Sequence, residues 1–375
     1  MQLGLPRMHK ERGEVRDFLP DLVAYTAEHH VSAVVLEEGY GAGMGFTEHD
    51  YARVSSKVKF GSYADCLAQD VVMVMRAPSE DALRKIRPGA VLLSMLHYTT
   101  QPLRTALLLE SGIAAVSLDA LVDDQGRRLV EDMSAVGWNG IEAAFRELAR
   151  AHPRFADPAR GPLRVTILGA GQVAGAALTA ASRYGDRELH SRLSARGIPG
   201  VETTVIDYDL TRNKDYMASL LARSDMLVDA TRRRHPNRVV VTNKLLGALP
   251  EHAVILDLAA DPYDFDTSPQ VVKAIEGVPH GDLDQFVFRP DDPVYDDLST
   301  HVDTTNRRIA LSCYSWPGIH PRPCMDLYGV QLEPIVDIVL TKAPNTWSLT
   351  SDNHVERALA RAEVTRWSTM MTTSR

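Results

Sequence analysis

The run Arg164-Val165-Thr166-Ile167-Leu168 passes into Gly169-Ala170-Gly171-Gln172-Val173-Ala174-Gly175, and this stretch restricts the fold more than any other. An apolar, β-branched run that breaks into closely spaced glycines and then turns helical reads as strand, phosphate-binding turn and helix. Gly169 permits the tight turn, and Gly171 lets the backbone approach a pyrophosphate. Ala174 or Gly175 lets the helix pack on the strand. The N–H groups of the helix start then face the anion. The next strand, Val201 to Ile206, ends on Asp207. A carboxylate there accepts both ribose hydroxyls of an adenosine and repels a 2′-phosphate, which selects NAD over NADP. Gly169, Gly171, Gln172, Val173 and Asp207 are therefore the expected cofactor contacts, with Thr231 at the end of a later strand. The separation from turn to acid exceeds the usual spacing of about 20 residues. The excess, Tyr184 to Gly200, reads as an extended helix and loop.

A chain of 375 residues is long for one hydrophobic core. We expect two domains: 1–150 as a substrate and catalytic domain, completed by C-terminal helices in 316–375, and 151–315 as the NAD-binding domain. In the first part, short apolar runs alternate with amphipathic segments. Strands are expected at Met1 to Leu5, Ser32 to Leu36, Val71 to Met75, Val91 to Met95 and Ala114 to Ser117. Helices are expected at Leu19 to His29 and Thr100 to Ser111. Asp132 to Ala151 reads as a helix connecting the domains, ended by His152-Pro153. Met226 to Val228 and Ala253 to Leu258 read as further buried strands, and Lys214 to Ala222 as a helix. Phe286 to Asn306 is a long polar excursion, and helices at Gln331 to Thr341 and Val355 to Trp367 close the chain. The fold class is α/β, two doubly wound parallel-sheet (Rossmann-like) domains with a cleft between them.

Composition narrows the partners. Hydrophobic residues make up 45% and charged residues 24%, as in an ordinary globular protein. A net charge of −8 gives no general attraction to nucleic acid or anionic membrane. A small-molecule substrate and a second copy of the chain, as a homo-oligomer, are the expected partners. Cys66, Cys313 and Cys324 lack metal-ligand spacing, so neither a disulfide framework nor a zinc site is suggested, and no metal is expected. No apolar run approaches the roughly 18 residues needed to span a bilayer, and the first residues lack the apolar core of a signal peptide. The expected location is the cytoplasm.

Ligands of such folds bind beyond the carboxyl ends of the strands. The polar residues there are Arg16, Arg76, His97, Thr231-Arg232-Arg233-Arg234 and Asp261. At these positions the chain resembles the alanine dehydrogenase, transhydrogenase α-subunit and saccharopine dehydrogenase superfamily. Gly4-Leu5-Pro6 through Lys10 to Glu14-Val15-Arg16 is similar to the family's amino-terminal basic motif, whose arginine contacts the substrate carboxylate. Gly39 to Phe46, then Tyr51, is similar to its glycine-rich loop. Leu96-His97-Tyr98 resembles its active-site histidine motif, and Leu256-Asp257-Leu258-Ala259-Ala260-Asp261 its second catalytic strand end. Asp123 to Arg128 resembles the saccharopine branch, and Trp316-Pro317-Gly318 the alanine branch.

There are departures from the family pattern. Arg76 stands where the family has lysine; it still grips a carboxylate in a bidentate fork but does not lose a proton near neutral pH. Proton transfer then falls to His97, whose ordinary pKa of about 6.5 suits that work. Ser315 replaces an asparagine of the alanine branch. The arginine loop replaces an apolar Val-x-x-Pro-Gly, and Arg232 in it is a candidate for an anionic substrate. The resemblance implies hydride transfer between NAD and the α-carbon of an amino acid through an imine. Arg16 and Arg76 would hold the carboxylate, Asp261 would orient or activate water, and His97 would move protons. Two alternatives stand beside it: an opine or saccharopine-type dehydrogenase acting on a secondary amine, and an NAD-binding protein without turnover.

Overall fold

The computed structural model describes residues 1–28, 31–233 and 235–373. The expected helix end at His29 and the last loop arginine, Arg234, lie outside the described residues. The chain divides into two units, Met1–Asp132 with Pro321–Arg375, and Met133–His320.

In the first unit six strands run parallel: β1 Gln2–Leu5, β2 Ala33–Glu37, β3 Val58–Gly61, β4 Val71–Arg76, β5 Val91–Met95 and β6 Ala114–Ser117. Their order is β3-β2-β1-β4-β5-β6. The chain winds outward from β1 in one direction and then, from β4, in the other, so the carboxyl ends of β1 and β4 flank the switch point where such sheets bind ligands. β2 and β5 are buried along their whole length, which is why they read as unbroken apolar runs. β3 escaped the sequence reading because Lys59 interrupts it and it is half exposed. Helices Pro20–Glu28 and Pro321–Thr341 cover the sheet, and Leu22, Val23, Leu332, Ile335 and Val339 join Leu3, Val34 and Leu36 in one core. Each such side chain contributes about 1.5–3 kcal/mol on burial.

The C-terminal helices differ from expectation at both ends. The helix read as Gln331 to Thr341 begins ten residues earlier, at Pro321, and tolerates Pro334 inside it. The segment Val355 to Trp367 is two helices, His354–Ala362 and Val364–Thr373. They part at Glu363, whose backbone is extended. Its carboxylate accepts the N–H groups of Thr365 and Arg366 and so caps the second helix.

The second unit carries β7 Leu163–Leu168, β8 Val201–Ile206, β9 Met226–Asp229, β10 Val254–Asp257, β11 Val287–Phe288 and β12 Ile309–Ser312. The order is β11-β12-β10-β9-β7-β8, parallel except for the edge strand β11. Helix Arg187–Ala195 fills the long separation between the glycine turn and Asp207, and Asp186 caps it by accepting the Leu189 N–H at 2.9 Å. Among the described residues no helix is long and apolar enough to cross a membrane.

The boundaries 150/151 and 315/316 need correction to 132/133 and 320/321. Helix Met133–Ala151 belongs to the second unit. A Cβ on its Gly137 would stand 2.6 Å from the backbone nitrogen of Ala177, so the glycine lets this helix lie directly on helix Gln172–Ala181. Asn139 Nδ2 donates to the carbonyl of Trp316 at 3.0 Å, drawing residues 316–320 into the same unit.

Candidate active site

In the second unit the glycine turn is built as its residues require. Gly169 has φ +96°, and a Cβ on it would lie 2.7 Å from the Ala230 carbonyl oxygen. Gly171 precedes helix Gln172–Ala181 in an extended conformation, and a Cβ there would meet nothing within 4 Å. The turn opens on a cavity of about 660 Å³ whose lining includes Gly169, Gly171, Asp207, Thr231 and Arg232. One carboxylate oxygen of Asp207 accepts the N–H of Tyr208 at 2.7 Å. Two expected contacts are placed differently. Gln172 is exposed at the helix start, off the cavity lining, and Val173 packs partly into the core.

The arginine loop is specialised residue by residue. Arg232 is exposed on the cavity wall. Arg233 turns inward, its side chain 6% exposed. Its Nη1 donates to the carbonyls of Pro236 and Arg238, and its Nη2 to the carbonyl of Val272 and, at 2.5 Å, to Asp261 Oδ2. Asp261, the expected water activator, is thus paired with an inward arginine of its own unit. Thr231 donates its N–H to Asp229 Oδ1 at 2.9 Å.

Beneath the loop lies a buried group that the sequence did not announce. Asp229 and Asp257 end the neighbouring strands β9 and β10. Lys273 Nζ donates to Asp257 Oδ2 at 2.6 Å, and Ser312 Oγ donates to the same oxygen at 2.9 Å. Burial opposes ionisation of Asp257, but the Lys273 ammonium outweighs it and holds the carboxyl below its ordinary value. Burial, with Asp257 beside it, pushes Asp229 up to about 7. The backbone leaves β10 through Ala260 at φ +52°, with the Ala260 N–H on Asp257 Oδ1 at 2.7 Å.

In the first unit His97 follows β5 with φ +52°. Its N–H donates to Asp119 Oδ1 at 3.1 Å, and its Nδ1 lies 3.5 Å from Asp119 Oδ2. Ser117 Oγ donates to Asp119 at 2.5 Å and accepts the Leu96 N–H at 3.0 Å. Burial works against the Asp119 charge, yet His97 and these hydrogen bonds hold its carboxyl far below the ordinary range. Sequence reasoning missed Asp119; its signal was a carboxylate two residues past β6, the neighbouring strand.

Arg76 ends β4. It shares its surroundings with Lys10, Glu14 and Arg104, each of which feels its charge. Burial and Arg104 lower the pKa of Lys10; burial and Arg76 lower that of Arg104. Arg104 is nearly buried, with Nη1 on the Leu96 carbonyl at 3.1 Å, and was not among the candidates. Arg16 is placed otherwise than expected. Its guanidinium is buried, with Nε on Glu14 Oε1 at 2.9 Å, Nη2 on Glu14 Oε2 at 2.7 Å and Nη1 against Cys324 Sγ at 3.6 Å. That fork is occupied from within. The glycine-rich loop after β2 is packed rather than a free surface turn: Tyr40 and Met44 are buried, and Asp17 accepts the Gly41 N–H at 2.8 Å.

Residues 12–136 match the family model of the alanine dehydrogenase/PNT N-terminal domain. The chain is thus similar, over this third of its length, to the alanine dehydrogenase and transhydrogenase family. It is 22% identical over 283 residues to an alanine dehydrogenase of Geobacillus stearothermophilus, covering 72% of this chain and 75% of that one. It is 22% identical over 350 residues to an alanine dehydrogenase of Staphylococcus saprophyticus, covering 86% and 83%. Among solved structures, an L-alanine dehydrogenase aligns over 97% of this chain and 94% of its own, with 21% identity and a TM-score of 0.70. A transhydrogenase from Sinorhizobium meliloti aligns over 92% and 96%, with 17% identity and a TM-score of 0.60. These superpositions show a shared two-sheet α/β fold.

Proposed function

We propose that the chain is an NAD-dependent amino-acid dehydrogenase of the alanine dehydrogenase type, converting an α-amino acid and water to a 2-oxo acid and ammonia. The observation that carries this reading is the His97–Asp119 pair, an imidazole held by a half-buried carboxylate at a strand end inside the region that matches the family's N-terminal domain.

The second unit fits the cofactor. Gly171 leaves room at the helix start, and Asp207 stands on the same cavity wall for a ribose. Gly169, Gly171, Asp207 and Thr231 would hold the dinucleotide, which supplies a hydride acceptor for the α-carbon. Arg76 holds the substrate carboxylate and stays charged throughout. Asp119 fixes the ring proton of His97 on Nδ1, leaving Nε2 to take a proton from water as the hydroxyl forms on the imine carbon and to return it to the departing nitrogen. Arg16 supports this site from below by holding Glu14, and Asp261 holds Arg233 in its loop. The opine reading loses part of its support, since one of the three loop arginines is engaged internally.

The test is NADH formation across small, acidic and basic α-amino acids, with ammonia measured as a product. Saturable turnover with stoichiometric ammonia supports the reading. NAD binding without turnover on any of them would replace it with the non-catalytic one.

A further inference from the structure

We propose that His152, Asp225 and His252 form a binding site for a first-row divalent metal ion of the zinc class. The three residues come from separate parts of the second unit. His152 follows helix Met133–Ala151, Asp225 immediately precedes β9, and His252 lies two residues before β10. They meet at the amino-terminal end of the sheet, whereas Gly169, Asp207 and Thr231 lie beyond its carboxyl ends. The cluster is therefore no part of the dinucleotide site.

The geometry suits an ion. One ligand atom from each residue lies within 4.8 Å of the others. His252 Nε2 is 2.8 Å and His152 Nε2 3.7 Å from the same oxygen, Asp225 Oδ1. Two imidazole nitrogens and a carboxylate oxygen, each about 2.0–2.2 Å from a tetrahedral zinc, would stand about 3.4 Å apart, so the two distances bracket the requirement. The imidazole rings pack edge to face, 4.4 Å between centroids, and all three residues are half-buried, which leaves a fourth position for water. The other carboxylate oxygen of Asp225 accepts the Arg164 N–H at 2.7 Å, an outer contact of the kind that fixes a metal-binding carboxylate.

Binding displaces the proton shared by His252 and Asp225. It also requires one local adjustment. The Arg154 N–H donates to His152 Nδ1 at 3.1 Å, and ligation through Nε2 moves the ring proton to Nδ1, so that exposed N–H turns to water. An ion here would tie the end of helix Met133–Ala151 to the starts of two central strands. Its effect falls on stability and not on turnover. Cysteine spacing, the only metal signal weighed in the sequence, is blind to a site made of histidines separated by this much chain.

The full chain, freed of metal by chelation, is titrated with Zn²⁺ by calorimetry while its melting temperature is followed. One ion per chain, with a rise of several degrees, is expected. His152→Ala and His252→Ala should each weaken binding at least tenfold and abolish the rise, with NAD affinity unchanged. Co²⁺ should give the visible absorption of a four-coordinate centre in the parent chain only. Absence of stoichiometric Zn²⁺ binding by the parent overturns the site whatever the variants do. So does binding that survives both substitutions. Should an alanine variant fail to fold, His152→Gln and His252→Gln take its place under the same criteria.

Discussion

The ends of β5 and β10 are built alike and do opposite things. Each sheet releases its chain through a non-glycine residue in the left-handed region, His97 in one unit and Ala260 in the other, both at φ +52°. Such backbone costs about 1–3 kcal/mol and persists only where its surroundings impose it. Each turn also brings a carboxylate to a cationic partner. After β5 the carboxylate, Asp119, is the enclosed member, and His97 keeps a side-chain exposure of 36%. After β10 the cation is enclosed, Arg233 at 6% exposure, and Asp261 is bound to it. The member left accessible differs in kind. In one turn it is an imidazole beside a fixed carboxylate, in the other a carboxylate already bound to a guanidinium. Under the proposed function the same turn therefore serves proton transfer in one unit and clasps a loop in the other.

The largest expected effect is at His97. His97→Gln should lower turnover by about two to four orders of magnitude and leave the melting temperature nearly unchanged. A variant with parental turnover and pH profile would erase the contrast. Asp119→Asn comes next, with turnover reduced about a hundredfold as the imidazole loses its fixed tautomer. It should also lose stability. The folded carboxyl of Asp119 lies below its unfolded value, so it stabilises at pH above about 4, and that contribution disappears as the medium is acidified. Acid unfolding should therefore lose part of its pH dependence in the variant. Asp261→Asn tests the other turn. It should cost about 1–3 kcal/mol by leaving an inward guanidinium without its counter-charge, while turnover changes less than tenfold; a thousandfold loss would make Asp261 the base after all.

The last comparison leaves turnover aside and takes one buried carboxylate from each unit. Burial pushes Asp17 and Asp229 both up to about 7. Their folded values exceed the unfolded 3.8, so the native state holds protons that the unfolded chain releases, and stability falls as pH rises between those limits. Asp229→Asn and Asp17→Asn should each flatten that fall by about 2–3 kcal/mol when denaturant midpoints at pH 5 and pH 8 are compared. A flattening at only one site would show that the two carboxylates, alike in burial, differ in what surrounds them.

Much of this architecture was legible because parallel strands buried on both faces advertise themselves. Val91–Met95 and Ala114–Ser117 have the ends that their apolar runs indicate. The strand-end rule then singled out His97 and Arg76. Their partners could not be found that way. Asp119 lies 22 residues beyond His97 and reaches it only because β6 pairs with β5. Adjacent arginines look identical in sequence, and only burial shows that Arg233 turns inward while Arg232 stays exposed. The seam between units was misplaced because two glycines, Gly137 and Gly140, settle which sheet the helix Met133–Ala151 lies on. A helical periodicity reports that a face is apolar and is silent about what it will meet.

That seam gives the chain an order of events. The second unit is one uninterrupted segment set inside the first, so the β1–β6 sheet is complete when residue 132 is made, yet Tyr328, Leu332, Ile335, Val339 and Leu359, which share its core, follow only after residue 320. At about 5–20 residues per second, synthesis leaves one face of the finished sheet waiting roughly 10–40 seconds for its cover. The inner unit has that interval in which to close on itself. During synthesis the domain that begins first is therefore the one that finishes last.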